Sequence, residues 1–253
     1  MKTFPCTSIR PPAQSVFAAL LGLFILSSLM SACASSTAPP IASSPRATQT
    51  AAPPRLTYVA VGASDAFGVG TSDPDRDNWP TVLSHELGAN VHLINLGIPG
   101  ITVEGARKEE LPIAVDAHPD IVTVWLAVND LAASVPLDSY RQQLNTLLGS
   151  LKQHTHARIF VGNLPDLTLL PYFSGANVGI LRSTVQAWNA VIARVAAANG
   201  ATLVDLYGGW RELATHPEYL ATDGLHPSTI GAIRLAGVFQ SVIVASMQGA
   251  RQP

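Results

Sequence analysis

The sequence predicts an α/β fold, a three-layer α/β/α sandwich around a five-stranded, mainly parallel sheet, and three observations predict it. From Leu56 onward, short β-branched runs alternate with amphipathic stretches at helical spacing. Gly, Asn and Pro punctuate the switches between them. A chain of 253 residues suits one substantial core better than two. Strands alternating this regularly with helices imply a parallel sheet covered on both faces.

The elements follow in order. Leu56 to Val61 is an apolar run stopped by Gly62, the pattern of a buried strand. Asn78 to Leu87 carries Pro80 near its start and Gly88 at its end, each where a helix accepts it. A strand Val91 to Asn95, a helix Val103 to Val115 and a strand Ile121 to Leu126 come next. Leu137, Tyr140, Leu144, Leu147, Leu148 and Leu151 fall on one helical face, ahead of a strand from Arg158 to Val161. Leu181, Val185, Trp188, Ile192 and Val195 mark a further helix, ended by Asn199-Gly200 before a strand Thr202 to Leu206. Pro227 opens a last helix to about Met247.

The first 33 residues have a different character. Lys2 and Arg10 precede the apolar stretch Ser15 to Met30, which ends in Ser31-Ala32-Cys33-Ala34. A charged start, an apolar middle and a small-residue end describe an export signal. Leu29-Met30-Ser31-Ala32-Cys33 resembles a lipobox, which implies acylation of Cys33 and a membrane anchor. Cleavage after Ala32-Cys33-Ala34 to release the protein, or an uncleaved anchor, are the other readings. Residues 34–54 are rich in Ala, Ser, Thr and Pro and read as a tether, leaving 55–247 as the folded domain and 248–253 as a short tail. The apolar stretch of the signal-like block raises the hydrophobic content of the chain, 47% overall. With 15 basic and 17 acidic residues and no basic run, nucleic acid is not an expected partner. Both cysteines, Cys6 and Cys33, precede the domain, so neither a domain disulfide nor a cysteine metal site is expected. His85, His92, His118, His154, His156 and His216 show no ligand spacing, and no metal or cofactor is assigned.

Ligands of open parallel sheets bind where loops leave the carboxyl ends of the strands. Three loops of that kind carry small or polar residues: Gly62 to Asp65, Asn95 to Gly100, and Ala127 to Asp130. A fourth, Asp223 to Pro227, precedes the last helix. A serine hydroxyl needs a base to take its proton, and imidazole suits that role. Ser64 follows a strand at a glycine-flanked turn, and Asp223 lies three residues before His226, so one loop supplies a base and a carboxylate to orient it. The Ser64 and Gly100 backbone N–H groups and the Asn129 amide are candidate donors to an oxyanion. Asp130 is read as a loop brace.

These residues resemble the SGNH hydrolases, the GDSL esterase/lipase family. Gly62-Ala63-Ser64, Asn95 to Thr102 with Gly97 and Gly100, Ala127-Val128-Asn129-Asp130 and Asp223-Gly224-Leu225-His226 stand for its four blocks, from about Tyr58 to Ala245. The resemblance implies Ser64 as nucleophile, Gly100 and Asn129 as oxyanion donors, His226 as base and Asp223 as its partner. Gly100 is preferred over Gly97 because Ile101-Thr102 resembles the ending of that block. Ala63 and Ala127 depart from the family pattern, replacing an acidic residue and a glycine. The implied activity is ester hydrolysis through an acyl-enzyme, outside the cytoplasm. Deacetylation of, or acyl transfer to, cell-wall or other polysaccharide uses the same residues, and a non-catalytic surface module is the remaining reading. Phe67, Trp79 and the Leu167 to Gly179 loop are expected near the substrate, with Pro171 to Asn177 as a lid, and Trp125 is a candidate for the pocket wall.

Overall fold

A computed structural model of the protein describes residues 55–249. Five strands, β1 (Leu56–Gly62), β2 (Val91–Asn95), β3 (Ile121–Trp125), β4 (Arg158–Gly162) and β5 (Thr202–Val204), form one sheet in the order β2-β1-β3-β4-β5. Every pairing is parallel. All five residues of β3 are buried, whereas β2 at the edge is half-buried throughout. That difference explains why the central strands read as continuous apolar runs.

Among the described residues ten α-helices accompany the strands: α1 (Ser64–Phe67), α2 (Pro74–Asp77), α3 (Trp79–Leu87), α4 (Val103–Glu109), α5 (Leu111–Asp116), α6 (Val128–Ala132), α7 (Leu137–His154), α8 (Val178–Ala198), α9 (Leu206–Gly209) and α10 (Thr229–Gly249). One layer is built by α3 against α10, where Trp79 stacks on Phe239 with ring centroids 4.5 Å apart. The other is a chain of contacts through α4, α5, α7 and α8, where Tyr140 meets Trp188 at 4.5 Å. Each pair buries apolar area that no single helix can hide alone.

Several boundaries differ from expectation. The helix expected over Val103 to Val115 is two, because Pro112 follows the junction at Glu110 and removes a backbone donor there. Leu206 opens α9 instead of ending β5, because the Asp205 side chain caps the helix at the Gly208 N–H. The last helix begins at Thr229, past Pro227, and runs to Gly249, past Met247. The short α1, α2 and α6 are too brief for periodicity to reveal. Residues 1–54, with Cys33, and residues 250–253 lie outside the described residues.

In this strand order the chain reverses direction across the sheet between β1 and β3, and a crevice opens beyond their carboxyl ends. Ser64 follows β1 and Asn129 follows β3, so the topology alone places them as neighbours.

Candidate active site

Ser64 is the first residue of α1, so its N–H has no acceptor within that helix. Its Oγ lies 2.9 Å from His226 Nε2, and His226 Nδ1 lies 2.6 Å from Asp223 Oδ2. The other Asp223 oxygen accepts the backbone N–H groups of Leu225 at 2.9 Å and His226 at 3.0 Å. The turn is closed by the Ala221 N–H, which donates to the His226 carbonyl at 2.8 Å. One short loop therefore fixes base and carboxylate together, and only the serine arrives from elsewhere in the chain. Burial pushes the Asp223 carboxyl up, but the hydrogen bonds from the His226 ring and the two backbone amides, with the imidazole charge, hold it below the usual carboxylate range.

Asn129 stands at the start of α6, and its Nδ2 donates to the Ile101 carbonyl at 2.9 Å. An amide nitrogen carries two protons, so one remains for a ligand. Both oxygens of the buried Asp130 carboxylate accept the hydrogen bond that the Val103 N–H donates, at 3.1 and 3.3 Å, which makes it the expected brace. Burial pushes Asp130 up to about 6, against that backbone bond. Asn129 and Asp130 thus tie the loop carrying Gly100 to the end of β3 from two sides.

Gly97 and Gly100 separate on geometry. The Gly97 N–H donates to Asn95 Oδ1 at 3.1 Å, and a Cβ there would sit 2.6 Å from the Phe67 nitrogen. Gly97 is committed to packing on α1. Gly100 has φ +79°, and open space surrounds the position of a Cβ. Among the described residues its N–H meets no backbone acceptor. Ala127 has φ +149°, a conformation glycine adopts freely and alanine rarely. The loop before Asn129 therefore keeps a glycine-like shape with alanine in it, at a strain of about 1–3 kcal/mol.

Ser64, Asn129 and His226 open onto one cleft, whose wall includes Ala63, Trp125, Leu167, Leu170, Trp210 and Leu225. Its volume is about 590 Å³ including the mouth open to solvent. Asp223 stands behind His226, and Gly100 lies on the neighbouring loop rather than in the cleft wall. Asp65 also faces the cleft, where burial pushes its carboxyl up to about 6 against the attraction of His226. Such a surface accepts an acyl or aryl group and presents a hydroxyl, a base and amide donors at one end.

Residues 60–232 match the model of the GDSL-like Lipase/Acylhydrolase family. The chain belongs to that family. It is a carboxylic ester hydrolase. An acetylxylan esterase of Geobacillus stearothermophilus is 29% identical over 168 residues, 61% of this chain and 72% of the relative. An arylesterase of Vibrio mimicus is 26% identical over 176 residues, 64% and 76% of the two chains. In fold, the lipase/acylhydrolase of Enterococcus faecalis superposes with a TM-score of 0.61 at 20% identity, covering 74% of this chain and 95% of that one.

Within this GDSL-family cleft the expected wall is partly corrected. Trp79 is fully buried between Phe239 and Trp125 in the core, and Phe67 is exposed on α1 outside the cleft. Trp125 does line it, with its indole N–H donating to the Asn163 carbonyl at 3.1 Å. Of the 167–179 segment, Leu167 and Leu170 form wall. Tyr172 instead touches the histidine loop, donating its N–H to the Gly224 carbonyl at 3.1 Å. Asn163, unremarked in the sequence, receives the Leu206 and Tyr207 N–H groups and donates to Asp205 at 2.8 Å, joining the ends of β4 and β5. Its only sequence signal is an amide directly after a strand. Among the described residues no group of three or more His, Cys, Asp or Glu side chains is arranged to hold a metal ion.

Proposed function

We propose that this hydrolase works through a covalent acyl-enzyme on Ser64, with His226 as general base and acid and Asp223 as its partner. The observation that carries this is the unbroken hydrogen-bonded line from Asp223 through His226 to Ser64. Ser64 Oγ attacks the ester carbonyl carbon while its proton passes to His226 Nε2. The carbonyl oxygen becomes an oxyanion, received by the Ser64 and Gly100 N–H groups and the free Asn129 amide proton. Collapse breaks the bond to the alcohol, which leaves with the proton from His226. Water then attacks the acyl carbonyl, gives its proton to His226, and the acid departs as Ser64 regains a proton. Throughout, Asp223 holds Nδ1–H and stabilises the imidazolium. Removing the Asn129 amide is expected to lower kcat about 10²–10³-fold in Asn129→Ala. A variant within threefold of the parent removes Asn129 from the oxyanion role.

Acetylated carbohydrate is the substrate reading favoured by the acetylxylan esterase relative. The signal-like segment ending at Cys33 and the Ala/Ser/Pro/Thr-rich residues 34–54 support an exported enzyme tethered to a membrane through lipid on Cys33. One experiment addresses chemistry and location together: peptide mass mapping of the mature protein after fluorophosphonate treatment. The adduct is expected on Ser64 and the lipid on an N-terminal Cys33; an adduct elsewhere, or a mature chain beginning past Cys33, contradicts the corresponding part. Acetate release from acetylated xylan, compared with phospholipids and p-nitrophenyl esters, tests the substrate, and no acetate from xylan defeats that reading.

A further inference from the structure

Glu110 sits at the junction of α4 and α5 with 1% of its surface exposed. Both carboxyl oxygens are buried, and among the described residues no group completes a well-aligned hydrogen bond to either. The carboxyl is turned toward two backbone amides, those of Gly62 and Ile98, whose dipoles act on it. Gly62 ends β1 two residues before Ser64, and Ile98 lies two residues before Gly100. The Ile98 N–H donates to the Gly62 carbonyl at 3.2 Å, and the Ile98 carbonyl accepts the Ile101 N–H at 3.2 Å, closing the turn that contains Gly100. A single buried carboxyl therefore lies behind both loops that supply the backbone donors.

We propose that Glu110 is a positioning residue that fixes the end of β1 and the Ile98–Ile101 turn and through them the spacing of Ser64 and Gly100. This rests on the reading of Ser64 and Gly100 given above. An ionised carboxylate with unpaired oxygens is expensive in such a place, whereas a neutral acid fits as an amide side chain would. Burial pushes Glu110 up to about 8 against the Gly62 and Ile98 amides, and neighbouring Glu109 is the charge that adds to the rise. Ionisation leaves an anion that burial cuts off from water, and its pull on the two amides, or its movement toward solvent, disturbs the loops they belong to. A leucine removes the polar partner from both. Displacement of reacting groups by less than a bond length is enough to slow catalysis about tenfold to a hundredfold.

The test compares the parent with Glu110→Gln and Glu110→Leu on a short p-nitrophenyl ester from pH 6 to 9.5, corrected for spontaneous hydrolysis. The parent is expected to lose kcat as pH rises through about 8. Glu110→Gln keeps kcat within threefold at pH 7 and lacks that alkaline loss. Glu110→Leu loses kcat tenfold or more with KM within threefold. Melting temperature supplies an independent reading. The folded pKa is raised, so the native state holds a proton that the unfolded chain releases between its ordinary carboxylate range and about pH 8, and parental stability falls across that window. Glu110→Gln should gain in melting temperature relative to the parent over the same window. The proposal is overturned by parental kcat in Glu110→Leu, by an alkaline loss shared with Glu110→Gln, or by a parental profile flat to pH 9.5. It fails separately from the Ser64 assignment, which falls only if Ser64→Ala stays active.

Discussion

Ser64→Ala is expected to lose ester hydrolysis by at least about 10⁴-fold while melting at the parental temperature within a few degrees. Without Oγ there is no atom to form the acyl-enzyme, and the oxyanion donors and cleft that remain assist only attack by water. The same variant should take up no fluorophosphonate. Little disturbance of the fold is expected, because Ser64 contributes its Oγ to His226 and its backbone to the first turn of α1, and alanine preserves the second. Steady-state kinetics and a thermal melt, run on one preparation, check both halves. Activity within tenfold of the parent would move the nucleophile to another residue.

Much of this site was legible because its residues are local. Asp223 and His226 are three apart, and a single turn joins them, so their spacing in the chain is their spacing in space. Ser64 and Asn129 were legible through the rule for loops at strand ends, although nothing local shows that β1 and β3 are adjacent. Long apolar patterns such as Leu137 to Leu151 located α7 well, since burial of one face over several turns leaves a clear period. The break at Glu110 was hidden by an apolar pattern that continues across it, even though Pro112 stood in view. Trp79 misled for another reason. Its position near Ser64 in sequence suggested a cleft wall, but α3 stacks it on Phe239 of α10, inside the layer those two helices build. Glu110 carried no signal at all. An acidic residue beside Glu109 reads as a solvated helix face, and only the inward turn of one of the two distinguishes them.

His226→Ala is expected to lower kcat by about 10⁴–10⁶-fold, and Asp223→Asn by clearly less, which makes the ordering itself informative. In the mechanism proposed above the imidazole takes the Ser64 proton on attack and returns it to the leaving alcohol, so no step of either half-reaction proceeds normally without it. Asp223 acts only through the ring. Its side chain is 43% exposed, against 17% for His226, so water reaches the carboxyl position and can meet part of the need of Nδ1–H. The backbone N–H groups of Leu225 and His226 also hold the loop on an oxygen that asparagine retains. A buried aspartate in this role is worth about 10⁴ in kcat; at this half-exposed position a loss of about 10²–10³ is expected. Pre-steady-state measurement of acylation and deacylation should show both steps slowed in His226→Ala, since one residue serves both. If Asp223→Asn proves as damaging as His226→Ala, the carboxylate does more than orient the ring. If His226→Ala slows only one of the two steps, a second base must serve the other, and Asp65, which faces the same cleft, is the residue to change next.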